Sequence, residues 1–205
     1  MRAVPEPAIL QKETLRVETF SDGVFCIAVT LLSIEIGVDV YGIHSNQDLF
    51  RALGERWPIL LAYVISFVNV LLAWIGHHSL FRMMRSCDGP AMIANGFLLM
   101  LVALVPFPTR TLGMFLHSQA LTTAVVFYTG YFVLISLAFR LLWWTVARNS
   151  NSLLPTIDAS QIRKTTRSEN IGLLCNSIIF CVAWFSPAAA LVLSFAMWVY
   201  WIVFA

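Results

Sequence analysis

Charge is what this sequence has least of. Asp, Glu, Lys and Arg supply 12% of its 205 residues, about half the share in an ordinary soluble domain. With hydrophobic residues at 59% and a mean hydropathy of +0.79, a soluble globular fold is excluded in favour of one that lives in a bilayer. The net charge of +2 is too small to draw nucleic acid, so no such partner is expected. Cysteine is scarce as well. Cys26, Cys87, Cys175 and Cys181 follow no metal-ligand spacing, and those in apolar runs read as small packing residues. There is no HxxxH or CxxC, and the adjacent His77 and His78 would point about 100° apart on a helix. His44 and His117 fall in outer loops with no suitably placed nucleophile. Enzyme chemistry and a resident cofactor are therefore not expected. The first fifteen residues, with Glu6, Lys12 and Glu13, do not read as a cleavable signal peptide. The longest polar interval, RNSNSLLPTIDASQIRKTTRSE, is too short to fold alone, so residues 1–205 read as one domain.

What is abundant is apolar sequence in lengths near the roughly 20 residues that cross a bilayer. Six such stretches occur, at 17–38, 56–81, 91–112, 120–142, 169–186 and 187–205. Only Ser186 and Pro187 divide the last two. One continuous helix there would reach about 55 Å, too long for a bilayer core, so a hairpin is expected. The basic residues test the count. Arg2, Lys12, Arg16, Arg82, Arg85, Arg140, Arg148, Arg163, Lys164 and Arg167 fall on one side, and Arg51, Arg56 and Arg110 on the other. Positive charge prefers the cytoplasm, which places both termini inside a multi-pass protein of the cell membrane. Leu153, Leu154 and Ile157 are expected to dock the polar interval against the membrane surface.

Polar groups inside a membrane are costly and either pair or line a wet path. Here most share one depth. Asp22 lies about a turn and a half into span one, His77 and His78 near the inner end of span two, and Asn95 one turn into span three. Across three helices these groups can satisfy one another, with the carboxylate held by a donor and one imidazole fixed in tautomer. Trp74 sits beneath this layer, where its indole N–H can join it. Arg16 is about 120° around the helix from Asp22, so it looks to another helix or subunit, to phosphates or to an aqueous mouth. Glu18 is expected to stay solvated. Ser21 and Gly23 are small enough for a neighbouring backbone to approach.

Span one also carries an apolar stripe. Ile27, Leu31 and Ile34 fall within about 60° of one another, a helix-packing seam that Phe20 and Val24 extend inward and Val38 outward. Any bundled membrane helix has such a seam. Packing alone, however, does not call for the entrance Arg16, Glu18, Ser21 and Asp22, nor for Glu35 and Asp39 at the outer end. Acid at both ends with aliphatic groups between is the layout of a cation path with a hydrophobic constriction. A single such helix encloses nothing, so several subunits around an axis are required.

The run Arg16, Phe20, Ser21, Asp22, Gly23, followed by an apolar stretch with Thr30, resembles the RxxxFSD signature of the prokaryotic TMEM175-like potassium channels (DUF1211). Trp74 with His77 and His78, Asn95, and the PFPT stretch at 106–109 extend the resemblance over essentially the whole chain. It implies an all-α membrane protein of six transmembrane helices per subunit. Four subunits would form a homotetramer whose first helices line a central K⁺-selective pore. By position, Ile27, Leu31 and Ile34 would form the aliphatic constriction and Thr30 would contribute to potassium preference. Arg16, Ser21 and Asp22 would brace the first helix through a span-two histidine, His77 before His78, and through Asn95. No carbonyl filter is implied, and TVGYG is absent. Cys26 stands where the family commonly has alanine.

Two other functions use the same residues. A secondary transporter or proton-leak pathway would employ Asp22, His77 and Asn95. A structural membrane protein would use span one only as an oligomer seam.

Overall fold

In the computed structural model, residues 6–37 and 43–204 are described, with side chains omitted for 6–12, 150 and 202–204. Among them the chain forms eight α-helices and no named strand: α1 Glu6–Ile34, α2 Asn46–Glu55, α3 Trp57–Phe81, α4 Gly89–Ala103, α5 Pro106–Phe115, α6 Leu121–Ala147, α7 Ala159–Ala183 and α8 Pro187–Phe204. Four apolar segments are long enough to cross a membrane: Glu13–Ile34, Trp57–Phe81, Gly89–Phe115 and Leu121–Ala147. The chain is an all-α, multi-pass membrane protein.

The third segment is one span by length but two helices by geometry. Proline at 106 has no N–H to continue the ladder. The turn before it tightens, with Leu104 N–H bonded to Leu101 O and Val105 N–H to Val102 O. The resulting break between α4 and α5 lets Gly113 come against α3. A Cβ on Gly113 would stand 3.0 Å from Ile59 Cα, tighter than an ordinary contact, so any side chain there presses on the α3 backbone.

The last two stretches differ from the continuous spans expected at 169–186 and 187–205. α7 begins at Ala159, and its first half carries Arg163, Lys164, Arg167 and Glu169, leaving a short apolar second half. α8 is a shorter apolar helix, Pro187–Trp201 by the apolar criterion. The two do form a hairpin. α7 ends at Ala183, the chain turns through Trp184 to Ser186, and proline opens α8. They then run back along each other until Gly172 faces the Trp201 ring. α6 is the central element, packed on α4, α5, α7 and α8. It is laced to α7 by Trp143 Nε1 to Thr166 at 2.8 Å, Arg140 Nε to Asn170 at 2.9 Å and Asn176 Nδ2 to Ser136 at 2.8 Å. Side-chain hydrogen bonds and close packing hold helices together where lipid removes most of the hydrophobic drive.

The two ends of the bundle are distinct. At one, the α3–α4 and α6–α7 connections pair, with Arg85 N–H to Ser152 O at 2.8 Å and Leu154 N–H to Met83 O at 3.0 Å. Asp88 caps α4 by accepting from Ala91 N–H at 3.0 Å and also takes Asn149 Nδ2 at 3.0 Å. Thr14 of α1 reaches Arg85 O at this same end. Leu153 therefore does not lie on the membrane surface; it is buried in a bridge with Met84. At the opposite end Glu35 pairs with Arg110 at 3.3 Å, and Trp57 meets the His117 ring edge-on. The segment between the first two spans, expected to be an outer loop, holds α2, capped by Ser45 on Asp48 N–H at 3.1 Å.

Candidate functional site

α1 has two faces. Ser21, Phe25, Ala28 and Leu32, spaced four, three and four, are buried against the rest of the chain. About a third of a turn away, Phe20, Ile27, Leu31 and Ile34 remain 66%, 59%, 39% and 71% exposed. Arg16 and Gly23 are exposed on that outer face, and Arg16 has no partner among the described residues. Thr30 is exposed and its hydroxyl donates to Ile27 O at 2.8 Å; Ser33 bonds Thr30 O at 2.7 Å. Its hydroxyl is thus tied back to its own helix. The stripe's outer continuation, Val38, and the outer acid Asp39 lie outside the described residues, as do Arg2 and the Lys12 side chain.

The inner face is fixed by two separate sets of hydrogen bonds rather than one shared layer. In the first, Asn95 Nδ2 donates to Ser21 Oγ at 3.0 Å, and Ser21 donates to Val17 O at 2.8 Å. Asn95 Oδ1 faces His77 Nε2 at 2.9 Å. Because that amide oxygen can only accept, His77 carries its proton on Nε2. Nδ1 of the same buried ring has no hydrogen-bond partner among the described residues. Phe81 stacks on the ring at 4.3 Å and Phe25 packs beside it. In the second set, Asp22 Oδ1 accepts the Trp74 indole N–H at 2.8 Å, and Glu18 Oε1 meets His78 Nδ1 at 3.1 Å. Trp74 and His78 stack, joining these two contacts.

His77 meets Asn95 and, through it, Ser21, the grouping the resemblance implied with His77 before His78, and the Trp74 indole joins the layer as expected. Two expectations change here. Asp22 is held by Trp74 and not by a histidine. Glu18, expected to be solvated, is paired with His78, its side chain only 20% exposed. The outer acid Glu35 is likewise engaged by Arg110. That partner could not be read from charge spacing, because it sits on the second half of a broken span.

A further polar string went unread in the sequence. Trp198 Nε1 donates to Asn69 Oδ1 at 2.8 Å, and Asn69 Nδ2 to Tyr128 at 3.2 Å. Tyr128 shares a hydrogen bond with Ser66 at 2.9 Å, and Ser66 another with Thr109 at 2.6 Å. It ties α8, α3, α6 and α5 together without an ionisable carboxylate or imidazole. The available signal was four polar residues inside apolar spans, which draws less notice than a buried charge. Among the described residues no cluster of three or more His, Cys, Asp or Glu is placed to hold a metal ion.

A family model described as the endosomal/lysosomal potassium channel TMEM175 matches residues 16–106, which hold α1 from Arg16, α2, α3 and α4. A potassium channel of Chamaesiphon minutus is 38% identical over 189 residues, covering 90% of this chain and 93% of that protein. The chain belongs to the TMEM175 potassium-channel family. A second relative, a potassium channel of Streptomyces collinus, is 40% identical over 154 residues, or 75% of this chain and 74% of that one. Among solved structures, the crystal structure of a lysosomal potassium-selective channel TMEM175 homolog from Chamaesiphon minutus superposes with a TM-score of 0.85 at 33% identity, covering 94% of this chain and 98% of that chain. The TMEM175 match includes the whole RxxxFSD segment and both hydrogen-bonded sets behind it.

Proposed function

We propose that this protein is a potassium-selective channel that conducts K⁺ passively along an axis enclosed by the α1 helices of four identical subunits. Each subunit contributes six membrane-crossing helices as a single domain, α4 and α5 together forming the third, and α7 and α8 the last two. Both termini are cytoplasmic and the protein resides in the cell membrane. The observation that carries the reading is the exposed stripe Ile27, Leu31 and Ile34 on a helix whose other face is fastened to its own subunit. Relatives that cover three quarters or more of this chain are potassium channels, which supports the ion.

Four copies of the stripe make stacked aliphatic rings. Such rings offer an ion no replacement ligands, so they act by bore and by their tendency to dewet. Selectivity then reflects retained hydration and the surrounding field, and K⁺ is favoured over Na⁺ only modestly. Thr30 stands beside the constriction, where its hydroxyl oxygen supplies the nearest side-chain dipole. Ser21, Asp22, Trp74, His77, His78 and Asn95 set the rotation of α1, and so decide which side chains reach the axis, while Arg16 stays on the exposed face at the inner mouth. The test is K⁺ flux in liposomes with Na⁺ for comparison. Wild type passes K⁺ faster, and Ile27→Ala raises flux or lowers the preference. Flux and preference both unchanged by Ile27→Ala would remove Ile27 from the filter.

A further inference from the structure

The first half of α7 is the most basic helical surface among the described residues, and its outer side forms a shallow, open groove of about 490 Å³ lined by α7 residues alone: Arg163, Arg167, Asn170, Ile171 and Leu174, with Ile162 and Thr166. Both arginines are exposed, and neither has an ion-pair or hydrogen-bond partner among the described residues. The wall behind them is rigid. Thr166 takes the Trp143 indole, and Asn170 takes the Arg140 guanidinium, so α7 is pinned to α6 along the groove.

Polarity changes along the groove within about 16 Å, the rise of eleven helical residues. Arg163 and Arg167 stand at one end, with Lys164 beside them. Ile171 and Leu174 follow, and the exposed Ile178 continues the same strip. The arginines lie at the bundle end where the α3–α4 and α6–α7 connections meet. The apolar strip runs from there toward the membrane centre. A guanidinium pair above an aliphatic track matches a ligand with a phosphate head and an acyl tail. A soluble phosphate would use the arginines and leave the track idle.

We infer that this groove binds an anionic phospholipid, with its phosphate on Arg163 and Arg167 and an acyl chain along Ile171, Leu174 and Ile178. The site rests on membrane placement and not on the axial pathway, so it stands or falls apart from conduction.

Native mass spectrometry of the full chain, released from neutral detergent with added phosphatidylglycerol or phosphatidylcholine, tests the site. Wild type retains phosphatidylglycerol in preference. In Arg163→Gln/Arg167→Gln its affinity falls about fivefold for each arginine removed, the size expected of one basic side chain beside an anionic lipid. The single variant Arg167→Lys keeps most of the preference and provides a folded comparison if the double variant fails to express. Inorganic phosphate at matched concentration does not displace the lipid. Equal retention of both lipids by wild type would overturn the assignment. So would undiminished phosphatidylglycerol binding in the double variant, or full displacement by inorganic phosphate.

Discussion

The indole N–H of Trp74 points at Oδ1 of Asp22 across 2.8 Å, joining α1 to α3 through a donor that carries no charge. Removing the donor should cost about 1.5–3 kcal/mol, the range for a hydrogen bond to a charged group. Trp74→Phe is therefore expected to lower the melting temperature in detergent, while Asp22→Asn, which keeps an acceptor oxygen, loses less. Equal stability of Trp74→Phe and wild type would mean that the contact does not hold α1 in place.

Glycine at two helix contacts is required to different degrees. At Gly113 an added Cβ meets the Ile59 backbone at 3.0 Å, so the α3 backbone itself, not a side-chain end, would have to give by a few tenths of an ångström. Gly113→Ala should destabilise by about 1–3 kcal/mol through overpacking. At Gly130 the Cβ meets Phe180 Cε2 at 2.9 Å, the far end of a ring that can swing. There the helix propensity gained by alanine, up to about 1 kcal/mol, offsets much of the clash. Melting curves of the two variants should therefore separate, with Gly113→Ala the lower.

Cys87 sits in the α3–α4 connection, where burial first and the neighbouring Asp88 charge second push its thiol up to about 11 from an ordinary 9.0. Thiolate is the reactive form. With the other three cysteines replaced, Cys87 in the folded protein should label with maleimide about 100-fold more slowly at pH 8 than in the denatured chain, two pKa units being two decades of thiolate. The linkage follows the same sign. Below pH 9 both states hold the proton and stability is unaffected. Between pH 9 and about 11 the unfolded thiol ionises first, and stability falls as pH rises. Rapid labelling at pH 8 would show that the connection is open.

How far the sequence foretold this depends on what each residue's partner was. The first four spans were legible because each is a long apolar run bounded by polar loops. The α7–α8 hairpin followed from one proline and a length too great for a single helix. Ile27, Leu31 and Ile34 were grouped by helical spacing alone, and they do share a face that their own chain leaves uncovered. The pairings within the polar layer were legible only in part: His77 with Asn95 and Ser21 followed from the resemblance, but Glu18 with His78 did not. Asp22, Glu18, His77 and His78 lie at one depth, but rotation of α3 about its axis decides which meets which, and one-dimensional spacing does not set that angle. Adjacent histidines point about 100° apart, so His77 turns to Asn95 while His78 turns to Glu18. The break before α5 was written in the prolines at 106 and 108. Its consequence, the close approach of Gly113 to Ile59, needed the third dimension.

The central claim is that the exposed stripe of α1 faces an ion path, and a thiol at position 27 tests it most directly. In a background with the four native cysteines replaced, Ile27→Cys is reconstituted in liposomes and exposed to a small cationic methanethiosulfonate during K⁺ flux, with Leu134→Cys on α6 as an outward-facing control. Modification at position 27 is expected to block flux, and at position 134 to leave it unchanged. Flux that persists after complete modification at 27 would place that side chain away from the ions and contradict the account.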